Sequence, residues 1–151
     1  EVAGLKVKDT IPGLGMTVAE ALLTPTKIYA AAVRSALAAY RVKKVIKAMA
    51  HITGGGLVEN TPRMLPAGVS VEIDPNSWET PPIFGYLQKT GDVEADEMYR
   101  VYNMGIGYVM IVSPYYAEAI AERLQKAGET VYRIGKTVAA PGEPKVIFKE
   151  K

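Results

Sequence analysis

Three consecutive glycines, Gly54-Gly55-Gly56, separate an apolar run, Val45 to Ala50, from a short segment of helical spacing, Leu57 to Leu65. Without Cβ atoms these residues permit φ > 0 and leave their N–H groups unshielded, so the chain can turn sharply and wrap an anion there. If a helix starts at Gly55 or Gly56, its unpaired N–H groups and its dipole point the same way, with Thr53 just before them. Asn60 and Arg63 are three apart and share a helix face. Arg63 then offers a forked pair of donors to a phosphate or carboxylate. The competing reading is a Gly-rich turn followed by a surface arginine.

Two further candidates lie nearby in the sequence. His51, the single histidine, is the side chain that titrates near neutral pH without perturbation. It reads as a general base, a phosphate contact or a structural hydrogen-bonder. Asn103-Met104-Gly105-Ile106-Gly107 follows a helical segment and enters a strand, so Gly105 reads as a helix stop or as a close-approach position for ligand. The tight-turn reading explains both glycines and explains Asn103 less well.

Two nucleotide-binding patterns fail. A dinucleotide fingerprint at Gly105-Ile106-Gly107 needs glycine at position 110, where Met110 stands, and it must open a helix. Gly135-Lys136-Thr137 mimics the end of a P-loop, but the required earlier glycine is Thr130. Asp92, Glu94, Asp96 and Glu97 read as the solvated first turn of a helix, where negative charge offsets the dipole. No metal site is expected from them.

The 151 residues suffice for one domain with a core. With 18 basic and 16 acidic residues, nothing suggests a nucleic-acid partner. The nine tyrosines do not alternate with basic residues as a base-stacking platform would. The absence of cysteine excludes disulfides, a thiolate nucleophile and a zinc–thiolate site, and is compatible with a cytoplasmic location. No apolar stretch approaches the roughly 20 residues of a spanning helix, so no membrane partner is expected. The start, Glu1-Val2-Ala3-Gly4-Leu5, has no initiator Met and no signal-peptide pattern.

The pattern predicts a lead-in over residues 1–16 and one domain over 17–151. Thr17 caps a helix over 18–23. Thr24-Pro25 caps a second over about 26–41, with Ile28, Ala31, Ala32, Ser35, Ala36 and Ala39 inward. Strands are expected at 48–53, 69–73, 106–112, 130–139 and 145–148. Helices are expected at 57–65, from Thr80-Pro81 to Lys89 with Gly91 closing it, from an Asp92 cap to Tyr102, and from a Ser113-Pro114 cap to Ala127 with Gly128 after it. Strand, helix and strand over 106–135 predict a parallel βαβ unit. The fold class is α+β: a mixed β-sheet with packed helices, partly ferredoxin-like.

Several ordered strings carry a family resemblance. HITGGGLVENTPRMLP, at His51 to Pro66, resembles the signature of aminoimidazole ribonucleotide synthetases, the phosphoribosylformylglycinamidine cyclo-ligases. ALLTPTKIY at Ala21 to Tyr29, PPIFGYLQKTG at Pro81 to Gly91, DEMYRVYNMGIG at Asp96 to Gly107 and GETVYRIGKTV at Gly128 to Val138 agree in order. Tyr102 stands where the family usually has Phe, which keeps the ring. The resemblance runs from about Glu1 to Phe148 and covers the C-terminal half of a two-domain, homodimeric enzyme. It implies ATP and Mg2+ as cofactors of the whole enzyme and formylglycinamidine ribonucleotide as substrate. It also implies a missing N-terminal domain as partner and carrier of the Mg-ATP segment. Thr53, Gly54, Gly55, Gly56, Asn60 and Arg63 would line the substrate cleft with Asn103 and Gly105, and His51 beside them. Relatives acting on selenophosphate, thiamine phosphate or in hydrogenase maturation remain alternatives, as does a ligand-binding or interaction module without catalysis.

Overall fold

A computed structural model describes residues 2–149. The chain enters through turns tied by a bridge between Thr10 and Thr17. Thr17 then opens α1 (Val18–Leu22) with a complete capping box. Its hydroxyl accepts from the Glu20 N–H at 3.2 Å, and Glu20 Oε2 accepts from the Thr17 N–H at 2.7 Å.

Thr24 does not cap the next helix. Its hydroxyl donates to the Glu20 carbonyl at 2.8 Å, which closes α1 instead. Residues 24–29 form no regular element, and α2 (Ala30–Ala39) begins from Tyr29 without a side-chain cap. Ile28 therefore lies outside the helix and is exposed. The inward stripe narrows to Ala32 and Ala36, where α2 packs against α6 (Ala117–Lys126) near the buried Ile120.

The strands form two sheets. β1 (Ile46–His51) pairs antiparallel with β3 (Tyr108–Val112), and a bulge shifts the register between Ile46 and Ala48. β2 (Val69–Ile73) is central in the other sheet, antiparallel to β4 (Gly135–Ala139) and parallel to β5 (Val146–Phe148). The α+β class with mixed strand pairing holds. The parallel βαβ unit does not: β3 and β4 lie in different sheets. Two edges of β2 are already taken by β4 and β5, and β3 takes β1, so α6 carries the chain from one sheet to the other. Central placement also buries Ser70, whose hydroxyl accepts from the Lys145 N–H at 3.2 Å.

Both sheets share one core. Ile52, Leu57, Val71, Ile73, Trp78 and Ile106 are buried together, with Tyr99, Val109, Ile111 and Phe148 packed on them. α4 (Pro82–Gly91) ends in Asp92 at φ 49°, so Asp92 closes that helix in the left-handed conformation and does not open the next. α5 (Ala95–Val101) starts after Glu94. After α6, Gly128 donates to the Gln125 carbonyl at 2.9 Å and Glu129 to that of Leu124 at 3.0 Å. With Gly128 at φ 88° this is a Schellman stop, as the glycine predicted.

Candidate functional site

The strand β1 runs out at His51, and the chain passes through Thr53 and Gly54 into α3 (Gly56–Asn60), with Gly55 as its N-cap at φ 93°. The three glycines serve three different needs. Gly55 takes a backbone conformation that side chains resist, and a Cβ there would meet Glu59 Oε2 at 2.6 Å. Gly56, buried and at φ 54°, lies against the carbonyls of Tyr99 and Tyr102, so a Cβ would collide with the end of α5. Gly54 has neither constraint: its φ is not positive and nothing lies within 4 Å of a Cβ built on it.

Asn60 holds this loop from within. It is buried, and its Nδ2 donates to the carbonyls of Gly56, Gly54 and Thr53 at 2.8, 3.1 and 3.4 Å. No peptide here is cis. In a trans peptide the N–H is antiparallel to the preceding C=O. Drawing the Thr53 and Gly54 carbonyls toward Asn60 therefore turns the Gly54 and Gly55 N–H groups away from it. Neither N–H has a backbone acceptor among the described residues, whereas the Gly56 N–H donates to the Thr53 carbonyl at 3.0 Å. The amide of Asn60 is thus engaged by the loop and is not offered to a ligand.

Thr53 and Gly54 line an open groove of about 220 Å³ with Phe84, Val101, Tyr102 and Asn103. Phe84 and Tyr102 lie 5.8 Å apart, tilted. The structure thus brings Thr53, Gly54 and Asn103 together and adds three residues that spacing did not single out. The available signal was only the presence of Phe84 in the string 81–91 and of Val101 and Tyr102 in the string 96–107.

Arg63 is not among the groove's lining residues. It sits in a 3-10 turn (Pro62–Met64), with its side chain 67% exposed. Its Nη1 donates to Asn60 Oδ1 at 3.4 Å, and its Nη2 lies 3.7 Å from Glu59 Oε2. Glu59 Oε1 faces Arg100 at 3.8 Å, and Arg100 grips Glu97 through Nε at 2.6 Å. Convergence of Arg63 and the glycine N–H groups on one anion is therefore not what the geometry shows. Arg63 approaches Asn60, and the free N–H groups point away from Asn60. The Glu97 carboxyl is held below the usual range by its hydrogen bonds to Arg100.

The second glycine motif is a sealed turn. Met104 at φ 50° and Gly105 at φ 98° form a hairpin-type turn closed by the Ile106 N–H donating to the Asn103 carbonyl at 2.9 Å. Asn103 Oδ1 accepts from the Gly105 N–H at 2.9 Å. The Met104 carbonyl accepts from the buried Trp78 Nε1 at 2.9 Å. A Cβ on Gly105 would meet Pro81 Cδ at 2.5 Å. Gly105 is accounted for by the turn and by Pro81. Asn103 lines the groove while its Oδ1 is engaged by the turn.

His51 is exposed at the end of β1, across the ladder from Tyr108. The Tyr29 ring meets it edge-on at 5.7 Å and meets Tyr108 at 5.3 Å. The Tyr29 hydroxyl lies over Gly107, in the space a side chain there would fill. His51 is not among the groove's lining residues. Among the described residues, no group of three or more His, Cys, Asp or Glu side chains gathers to hold a metal ion, and no helix is long and apolar enough to cross a membrane.

The family model described as AIR synthase related protein, C-terminal domain, matches residues 2–147. A protein named phosphoribosylformylglycinamidine cyclo-ligase from Exiguobacterium sibiricum is 46% identical over 140 residues, covering 93% of this chain and 40% of the relative. A protein of the same name from a Thermoanaerobacter species is 48% identical over 142 residues, covering 94% of this chain and 41% of the relative. One from Neisseria meningitidis is 50% identical over 121 residues, covering 80% and 34%. The chain thus spans about two fifths of the length of the curated relatives first matched.

Proposed function

The chain belongs to the AIR synthase related protein family as its C-terminal domain, and from that premise we propose that it forms one wall of the catalytic cleft of an ATP-dependent cyclo-ligase of purine biosynthesis. The whole protein would convert formylglycinamidine ribonucleotide into aminoimidazole ribonucleotide, ADP and phosphate. The amide oxygen is phosphorylated, and a nitrogen of the same molecule then displaces phosphate and closes the ring. In this reading the metal ligands and the ATP segment belong to the part of the relatives that this chain does not match. A homodimer and a cytoplasmic location belong to the same proposal. The chain alone is expected to be inactive.

Phosphoryl transfer is mostly positioning and charge stabilisation. This chain's contribution is a preorganised backbone: Asn60 fixes the loop, and the Gly54 and Gly55 N–H groups are presented outward as donors. Thr53, Asn103 and the Phe84–Tyr102 pair shape the adjoining groove. Of the loop's side chains, only the Thr53 hydroxyl can add a donor to the groove.

One observation carries this reading. Nothing within the fold requires glycine at position 54, yet it lies flush with the groove. A ligand approaching the backbone closely supplies the missing reason. The test is Gly54→Val in this chain joined to the unmatched portion of the Exiguobacterium sibiricum relative. Unaltered melting with at least a tenfold loss of cyclo-ligase turnover is expected. Turnover equal to that of the unsubstituted protein would sink the assignment of the groove.

A further inference from the structure

The N-terminal unit, residues 2–28, is built inside out. It holds six of the twelve exposed large hydrophobic residues among those described: Val2, Val7, Met16, Leu22, Leu23 and Ile28. Its one buried hydrophobic residue is Ile11. α1 has a complete capping box and yet buries no residue. Helices this short draw their stability from packing an apolar face, not from propensity. The face of α1 therefore lacks the contact that would account for it.

This unit is tied within itself, and its strap is tied to the body of the domain. The Ala19 N–H donates to the Val7 carbonyl and the Val18 N–H to that of Asp9, both at 3.0 Å. On the strap between α1 and α2, Lys27 Nζ pairs with Glu129 Oε2 at 2.6 Å, and the Glu129 side chain is only 14% exposed. The strap's far end is anchored by Tyr29 over Gly107. Between these anchors, Leu22, Leu23 and Ile28 stand 68, 79 and 84% exposed. Aliphatic side chains displayed on a pinned segment form a preorganised contact surface, since little ordering remains to be done on binding.

We propose that Leu22, Leu23 and Ile28, with Val7 and Met16, are the docking face for the polypeptide that makes up the other three fifths, roughly, of the curated relatives. The occupant follows from two facts. The inside-out unit precedes the packed body of the domain. The relatives carry a further portion larger than this chain, which the 40% coverage leaves unmatched. The proposal rests on the two-part reading given above and adds the surface through which the parts meet.

The experiment co-expresses the tagged chain with the unmatched portion of the Exiguobacterium sibiricum relative and measures capture and affinity. It compares the unsubstituted chain with Leu22→Ser/Leu23→Ser/Ile28→Ser and with Val42→Ser, which alters a 95% exposed side chain elsewhere. The expected result is capture by the unsubstituted chain and by Val42→Ser, and at least a hundredfold weaker binding by the triple variant at an unchanged melting temperature. Equal binding by the triple variant would overturn the docking face and leave the two-part reading standing. No capture by any chain would overturn both. Self-association of the chain, abolished by the triple variant without any capture, would assign the face to a second copy and overturn the proposal.

Discussion

Two glycine-bearing loops flank the groove, and they are built for opposite ends. At 103–107 the turn is closed by its own contacts. Trp78 and the Asn103 side chain occupy polar backbone groups, and Pro81 lies where a Gly105 side chain would be. At 53–56 Asn60 gathers the carbonyls on one side and leaves the Gly54 and Gly55 N–H groups pointing away from it, without a backbone acceptor among the described residues. A glycine in the first loop answers to the fold. In the second loop only Gly55 and Gly56 do, and Gly54 is left over. Glycine identity alone therefore says nothing about ligand contact; what surrounds the absent Cβ does.

Substituting alanine into each loop tests that division most strongly. Gly56→Ala must force a methyl group against the Tyr99 and Tyr102 carbonyls at positive φ, and should cost about 3 kcal/mol. Gly105→Ala meets a proline ring instead of backbone and should cost about 2 kcal/mol. Gly54→Ala should stay within about 0.5 kcal/mol of the parent. Urea denaturation midpoints order the three, and equal values would abolish the contrast between the loops.

Trp78→Phe sharpens the description of the sealed turn. It removes the donor to the Met104 carbonyl and leaves a buried acceptor unpaired, which costs roughly 1–3 kcal/mol. Groove binding should persist once folding is restored by lower temperature. Loss of ligand affinity in fully folded Trp78→Phe would mean that the turn is part of the site.

Arg63 probes the open loop from its far side. Its ion pair with Glu59 is exposed, so Arg63→Ala should change stability by no more than about 0.5 kcal/mol. Substrate affinity measured on the whole protein should change little as well. A large drop in affinity at constant stability would return Arg63 to the ligand and require its side chain to swing off Asn60.

The smallest effect is expected from acid. Arg100 keeps the Glu97 pKa below the ordinary value of 4.5. A group whose folded pKa is lowered adds stability above its unfolded pKa, and that stability is lost as pH falls through the folded pKa. Parent and Glu97→Gln should therefore differ slightly in melting temperature at pH 6 and converge below pH 4.5, within the acid limb. A difference that grows on acidification would break the assignment of this pair.

Local chemistry was legible wherever neighbours in sequence settle the outcome. The Thr17 cap, the Gly128 stop and the junction at Gly55 follow from i to i+3 contacts or from φ alone. Thr24 and Asp92 have the chemistry of N-caps, yet the preceding helix claims both: the Thr24 hydroxyl donates back to the Glu20 carbonyl, and Asp92 takes the left-handed conformation that closes α4. The apolar run before Ser113 marked a strand correctly and its partner wrongly. Periodicity reports which faces are buried, and strand pairing depends on edges that remote segments fill.

The site divides in the same way. Residues 51–66 and 103–107 could be singled out by type and spacing; of the candidates Thr53, Gly54, Gly55, Gly56, Asn60, Arg63, Asn103 and Gly105, the groove is lined by Thr53, Gly54 and Asn103. Nothing in their order tells that Asn60 faces inward, that Arg63 leans onto Asn60, or that Phe84 and Tyr102 complete the groove. By itself the amino-acid sequence determined the family, the element types and the loop at which backbone donors could be free, because these depend on composition and on neighbours within a few residues. Only the tertiary structure decided which donors are free and which side chains surround them. Peptide orientation there is set by Asn60 six and seven positions downstream, and the groove by helices some thirty to fifty residues away.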